Sequence, residues 1–185
     1  MKYLIWFIVL GISVGSWQLA VWVAEVHRKK EKYDKARAYA NERTKPLLVC
    51  GGPWGNQRAR HLLNMPAHGN GDICLDIDRN ALDGNPNSVI ADVTKIPFSD
   101  DSFGAVFASH LLEHLSNIDE AKRALGELNR TAEAVFVASP SRQSIAAWLH
   151  PNHHLWVWQE GKTVHLKQRG NSGNNGEDEY TVKGK

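Results

Sequence analysis

Residues 3–24, YLIWFIVLGISVGSWQLAVWVA, carry no charge. At 1.5 Å rise per residue, a helix of this length crosses a bilayer core of about 30 Å. Beyond Lys45 the apolar positions come in short bursts. LLVC at 47–50 runs into Gly51 and Gly52, the pattern of a buried strand entering a tight turn. NQRARHLLNM at 56–65 sets Ala59, Leu62 and Leu63 on one helical face, with Pro66 as its stop. DICLDID at 72–78, SVIAD at 88–92 and GAVFAS at 104–109 predict three further strands. IDEAKRALGELNR at 118–130 places Ile118, Ala121, Leu125 and Leu128 on one stripe, and Asn117 with Glu120 has the spacing of a capping box. AVFVAS at 134–139 reads as a fifth strand and SRQSIAAWL at 141–149 as a helix. LWVW at 155–158 and TVHLK at 163–167, joined by residues 159–162, predict a closing hairpin.

Strand and helix in alternation predict an α/β fold: a Rossmann-like, doubly wound, mainly parallel sheet with a C-terminal antiparallel hairpin, preceded by one transmembrane helix. The organisation expected is an anchor at 1–26, a basic juxtamembrane stalk at 27–46, a folded domain at 47–169 and a disordered tail at 170–185, where GNSGNNGEDEYTVKGK is nearly free of apolar residues. Open parallel sheets bind ligands beyond the carboxyl ends of their strands, at the point where strand order reverses. Residues 51–55, Asp76, Asp92 and His110 fall at such ends and would line one crevice.

Charge refines the picture at the N-terminus. The net charge of +2 gives no strong pull toward nucleic acid, and none is expected as a partner. Residues 27–45 nevertheless carry eight Lys/Arg against three Asp/Glu, which by the positive-inside rule puts the rest of the chain in the cytoplasm. The bland reading of this segment is a solvated helix with interleaved charges; a modest attraction to anionic headgroups is the other. The apolar run is long for a signal peptide, and no small-x-small cleavage site comes after it. Cys50 and Cys74 sit inside neighbouring strand patterns and read as reduced core thiols.

The stretches LLVCGGPWGN, DICLDID, SVIADVTKIPFSDDSFGAVFASHLLEHL and AVFVASPS, in that order, resemble the class I S-adenosylmethionine-dependent methyltransferases, most closely the small type-11-like subgroup. The resemblance covers about 47–140. It implies S-adenosylmethionine as cofactor, with Gly51 and Gly55 in the turn beside its methionine part, Asp76 on the ribose hydroxyls, Asp92 and Val93 at the adenine, and Ser109 with His110 near the methyl donor. The residue types suit those roles. Glycine admits close backbone approach, and a carboxylate accepts from two vicinal hydroxyls. Three departures stand out. Val49 replaces the acid often found before the glycine turn, Pro53 replaces its middle glycine, and Gly104 stands where the family has SFD. They keep open a second function beside methyl transfer to an unknown acceptor, lipid or protein: a catalytically inactive binding or scaffold module at the membrane. A nicotinamide-dependent oxidoreductase fits less well, because the GxGxxG turn is missing.

His110 is the candidate base, since imidazole titrates near neutral pH. His110 and His114 lie one turn apart like a metal pair, but no third ligand is evident, so no metal is expected. In HPNHH at 150–154 the default is a loop with partly buried rings.

Overall fold

The structure, a computed structural model, describes residues 2–51, 70–82, 87–170 and 176–184. The helix expected at 56–65 lies outside these residues, as do Pro53 and Gly55. One helix, α1, runs without a break through Lys2–Glu42. Five strands, β1 (Leu47–Cys50), β2 (Ile73–Asp76), β3 (Ser88–Ile90), β4 (Ala105–Ser109) and β5 (Val135–Ala138), form one sheet in the order β3-β2-β1-β4-β5. All its pairings are parallel. Strand order reverses between β1 and β4, which places the switch point beside Gly51 and Ser109. A 3₁₀ turn at Arg79–Leu82 follows β2, where only 15 residues separate Asp76 from Asp92.

Alternation along each strand divides the core in two. Leu48, Cys50, Val106 and Ala108 point to the face covered by α2 (Ile118–Thr131), whose Ala121, Ala124, Leu125 and Leu128 are fully buried. Leu47, Val49, Ala105 and Phe107 point to the other face, onto Ala36 and Ala40 of α1. Asn117 caps α2 by accepting from the Glu120 amide at 2.9 Å, and the Glu120 carboxylate accepts from the Ser116 amide at 2.8 Å. The capping spacing in the sequence thus marks the helix start. Both thiols are buried and unbridged, and burial pushes both upward in pKa.

Two expectations need correction. The segment 27–46 is not a solvated stalk. Its residues up to Glu42 continue α1, and small Ala36 and Ala40, both fully buried, let the helix lie close on the sheet. Tyr33 and Tyr39 meet Phe107 and Phe136 edge to face. Nor is the tail disordered throughout: Glu177–Thr181 forms β8. With β6 (Leu155–Glu160) and β7 (Thr163–Gln168) it makes an antiparallel sheet, order β6-β7-β8. The hairpin is therefore a three-stranded sheet. Tyr180 packs against the core, Val182 is buried in it, Lys122 pairs with Asp178, and the Val135 amide donates to the Lys183 carbonyl at 3.0 Å.

Candidate functional site

Gly51, Asp76, Asp92, Ser109 and His110 lie at or just past the carboxyl ends of strands in one parallel sheet. Gly51, directly after β1, has φ +100°, and a Cβ there would overlap the Ser109 carbonyl oxygen and crowd Leu111. Only glycine fits this position, because β1 and β4 close up at their carboxyl ends. Asp76 ends β2, and its Oδ1 accepts from the Asp78 amide at 2.9 Å. Partial burial raises its carboxyl above the usual range. The next residue, Ile77, is 72% exposed, an apolar side chain left in solvent beside an acid. Asp92, past β3, is exposed and forms an Asx turn: its Oδ1 accepts from both the amide and the hydroxyl of Thr94 at 2.8 Å. Val93 is buried in the α2-side core, so it can meet a ligand only through its backbone. The loop carrying Asp92 is tied to α2. Glu127 accepts from the Ile96 amide at 2.8 Å, and Arg130 donates to the carbonyls of Phe98 and Ile96.

Ser109, at the end of β4, is buried. His110 comes next, in the left-handed region at φ +51°, its amide donating to the Ala138 carbonyl at 2.9 Å. For a residue with a Cβ this backbone costs on the order of 1 kcal/mol. The turn aims the ring at Glu113, with Nδ1 3.3 Å from Oε1. The Glu113 side chain is only 2% exposed, and neither carboxylate oxygen has a hydrogen-bond partner among the described residues. The buried acid thus lies within ion-pair distance of the ring without a hydrogen bond to it.

His110 also lines a cavity of about 560 Å³ between α1 and the ends of β5 and β6. Trp22, Glu25, Arg28 and Lys32 of α1 form one wall; Ser139 and Arg142 belong to the other. Lys32 donates to the Val137 carbonyl at 2.6 Å, and burial lowers its pKa to about 8. The Ser139 hydroxyl is buried without a partner among the described residues. Arg142 stacks 4.1 Å from the Trp158 ring centroid, which in turn stacks on His165.

The pattern of the chain points to His110 but not to its partners. HxxE at 110–113 is a signal for Glu113 as its carboxylate, because one turn brings the two side chains together. The α1 wall has no comparable signal: Arg28 and Lys32 belong to a basic run that looks solvated until the helix is seen folded onto the sheet.

Residues 58–134 match the family model described as a methyltransferase domain. No curated protein matches the sequence. Solved structures with similar folds include DesVI of Streptomyces venezuelae, at 12% identity over 85% of this chain and 74% of that one, with a TM-score of 0.45. A S-adenosylmethionine-dependent methyltransferase from Clostridium acetobutylicum ATCC 824 aligns at 11% identity over 81% and 74%, TM-score 0.42. The cyclase SpnF aligns at 19% over 49% of this chain and only 37% of its own, TM-score 0.34. Identities this low carry no information about substrate.

Proposed function

Taking the methyltransferase domain matched at residues 58–134 as its premise, we propose that this chain is a single-pass, membrane-anchored, S-adenosylmethionine-dependent methyltransferase, its folded domain facing the cytoplasm. Proteins with this domain normally use S-adenosylmethionine. Gly51 and Gly55 would pass the methionine part and Asp76 would accept from the ribose hydroxyls. Asp92 and the Val93 backbone would meet the adenine, with Ser109 and His110 at the methyl end. Two features support the fit. Gly51 clears the space a side chain would fill, and Asp76 offers a half-buried carboxylate next to exposed Ile77, suited to a sugar and an apolar base edge. The bound cofactor supplies a methyl group already activated by its sulfonium. The chain then needs only to orient it, align a nucleophile and take up a proton. The His110 ring is the group placed to take that proton, with the buried Glu113 carboxylate beside its Nδ1.

The single observation that carries this reading is the double position of His110. Its backbone neighbours abut Gly51, and its ring lines the cavity beside α1. An acceptor in that cavity would sit within reach of the crevice. The cavity wall carries Arg28, Lys32 and Arg142 against Glu25, and α1 continues from it into the charge-free run. Both features favour a membrane amphiphile with an anionic group. The second reading, an inactive binding module, draws on Val49: fully buried against α1, it stands where the resemblance calls for an acid.

With methyl-labelled S-adenosylmethionine and full-length protein in vesicles of anionic polar lipids, label should enter the organic-extractable fraction. His110→Ala should lower that rate by about 10²–10⁴-fold, the usual worth of a positioned base. Label confined to protein would replace the lipid acceptor with a protein one, and label in neither fraction would favour the binding module.

A further inference from the structure

The spacing of His110 and His114 lacks a third metal ligand in its own segment, but the fold supplies two from elsewhere. His114, from the 3₁₀ turn at Leu112–His114, meets His150 and His153 from the loop after α3 (Ile145–Leu149). The three rings offer one nitrogen each, all within 4.8 Å of one another. We propose that His114, His150 and His153 form a divalent transition-metal site, with Zn²⁺ as its fitting occupant.

The hydrogen bonds around the rings already suit ligation. His114 Nδ1 lies 3.0 Å from the Asn152 carbonyl oxygen, and His153 Nδ1 lies 3.2 Å from that of Ala147. A carbonyl can only accept, so both Nδ1 atoms carry a proton and Nε2 is the nitrogen left to ligate. This is the backbone-carbonyl support that metal-bound imidazoles commonly show. His150 differs. Its Nδ1 accepts from the Asn152 amide at 3.3 Å, and it exchanges that long bond for the metal or turns its ring. His114 and His150 are exposed and have room to move.

Ring packing sets the distance left to close. His150 stacks on His153 at 4.2 Å between centroids, and His114 stands edge-on to both at 5.5 and 4.8 Å. Nitrogens bound to one tetrahedral Zn²⁺ at 2.0–2.1 Å stand about 3.4 Å apart. The widest pair therefore closes by about 1.4 Å, a side-chain adjustment for an exposed loop histidine. Three imidazoles are ligands of intermediate softness, suited to zinc rather than magnesium or calcium. Three protein ligands leave a fourth position open to water or another small ligand.

The site would clamp two segments already joined by the His114–Asn152 bond and by the His154 amide, which donates to the Glu113 carbonyl at 2.7 Å. His114 directly follows Glu113, so a metal here would fix the turn that carries the acid beneath His110. The inference rests on the His cluster alone and stands whether or not the chain transfers methyl groups.

The test is zinc binding by the full-length, tag-free protein in detergent, stripped with a chelator and titrated against a chromophoric competitor. One equivalent should bind. His150→Ala and, separately, His153→Gln should each weaken binding at least tenfold, whereas His165→Ala, which alters a histidine outside the cluster, should not. Cobalt at the same site should give the visible absorption of a four- or five-coordinate ion. His150 is exposed, so its variant should keep the wild-type circular dichroism. Failure to bind an equivalent of zinc, or equal affinity in folded His150→Ala, would overturn the proposal.

Discussion

Lys32 shows how one residue can couple the cavity to stability. Its ammonium is mostly buried at the cavity wall, and desolvation lowers its pKa from 10.5 to about 8. Between those values the unfolded chain holds a proton that the folded chain has released, so stability rises with pH across pH 8 to 10.5. Below pH 8 the folded state bears the cost of a buried charge, eased by the bond to the Val137 carbonyl. Lys32→Met should raise the urea midpoint at pH 7 and flatten the rise between pH 8 and 10.5; a rise of unchanged steepness would assign it to another group. Residues at this scale were legible in the chain where a strand ended on them. Gly51, Asp76 and His110 each close an apolar burst, and the fold places such ends along one edge. Glu113 was legible as a neighbour of His110, yet its burial was not, since that depends on the turn fixed by the left-handed backbone at His110.

Elements were legible where their periodicity was strong and illegible where tertiary contacts made them. The stripe of α2 and the bursts of β1, β4 and β5 announce themselves. β8 does not, because Tyr180 is its one apolar position and β7 supplies the pairing that makes the segment a strand. The second half of α1 hides its role in another way. Its buried face consists of Ala36 and Ala40 with two tyrosines, a weak apolar signal among six Lys/Arg, yet it covers one face of the sheet. The consequence is testable by truncation. A fragment beginning at residue 27 should melt cooperatively, whereas one beginning at residue 45, stripped of that cover, should expose Leu47, Val49 and Phe107 and aggregate or lose cooperative melting. Equal melting of the two fragments would return 27–46 to the role of a mere stalk.

At the scale of the whole molecule, the charge-free run and the domain share one helix. Gln18, a polar residue within the charge-free run, is satisfied by the loop before α3: its amide donates to the Gln143 carbonyl at 3.1 Å and its oxygen accepts from the Ile145 amide at 2.9 Å. That pair of bonds sets Ile145, Trp148 and Leu149, all exposed apolar residues, level with the lower part of the run. Under the proposed function these exposed apolar side chains would meet a membrane interface, where Trp is favoured. The cavity lined by His110 is also lined by Trp22 and Glu25 of the same helix, so under the proposed function the acceptor would sit at the membrane surface. The central claim is that the crevice holds S-adenosylmethionine despite Val49 and Pro53. Calorimetric titration of S-adenosylmethionine, and then of its demethylated product, into the full-length protein in detergent tests it most directly. The account predicts micromolar binding of both and its loss in Asp76→Ala at unchanged circular dichroism; no heat at millimolar ligand, or wild-type affinity in folded Asp76→Ala, would contradict it.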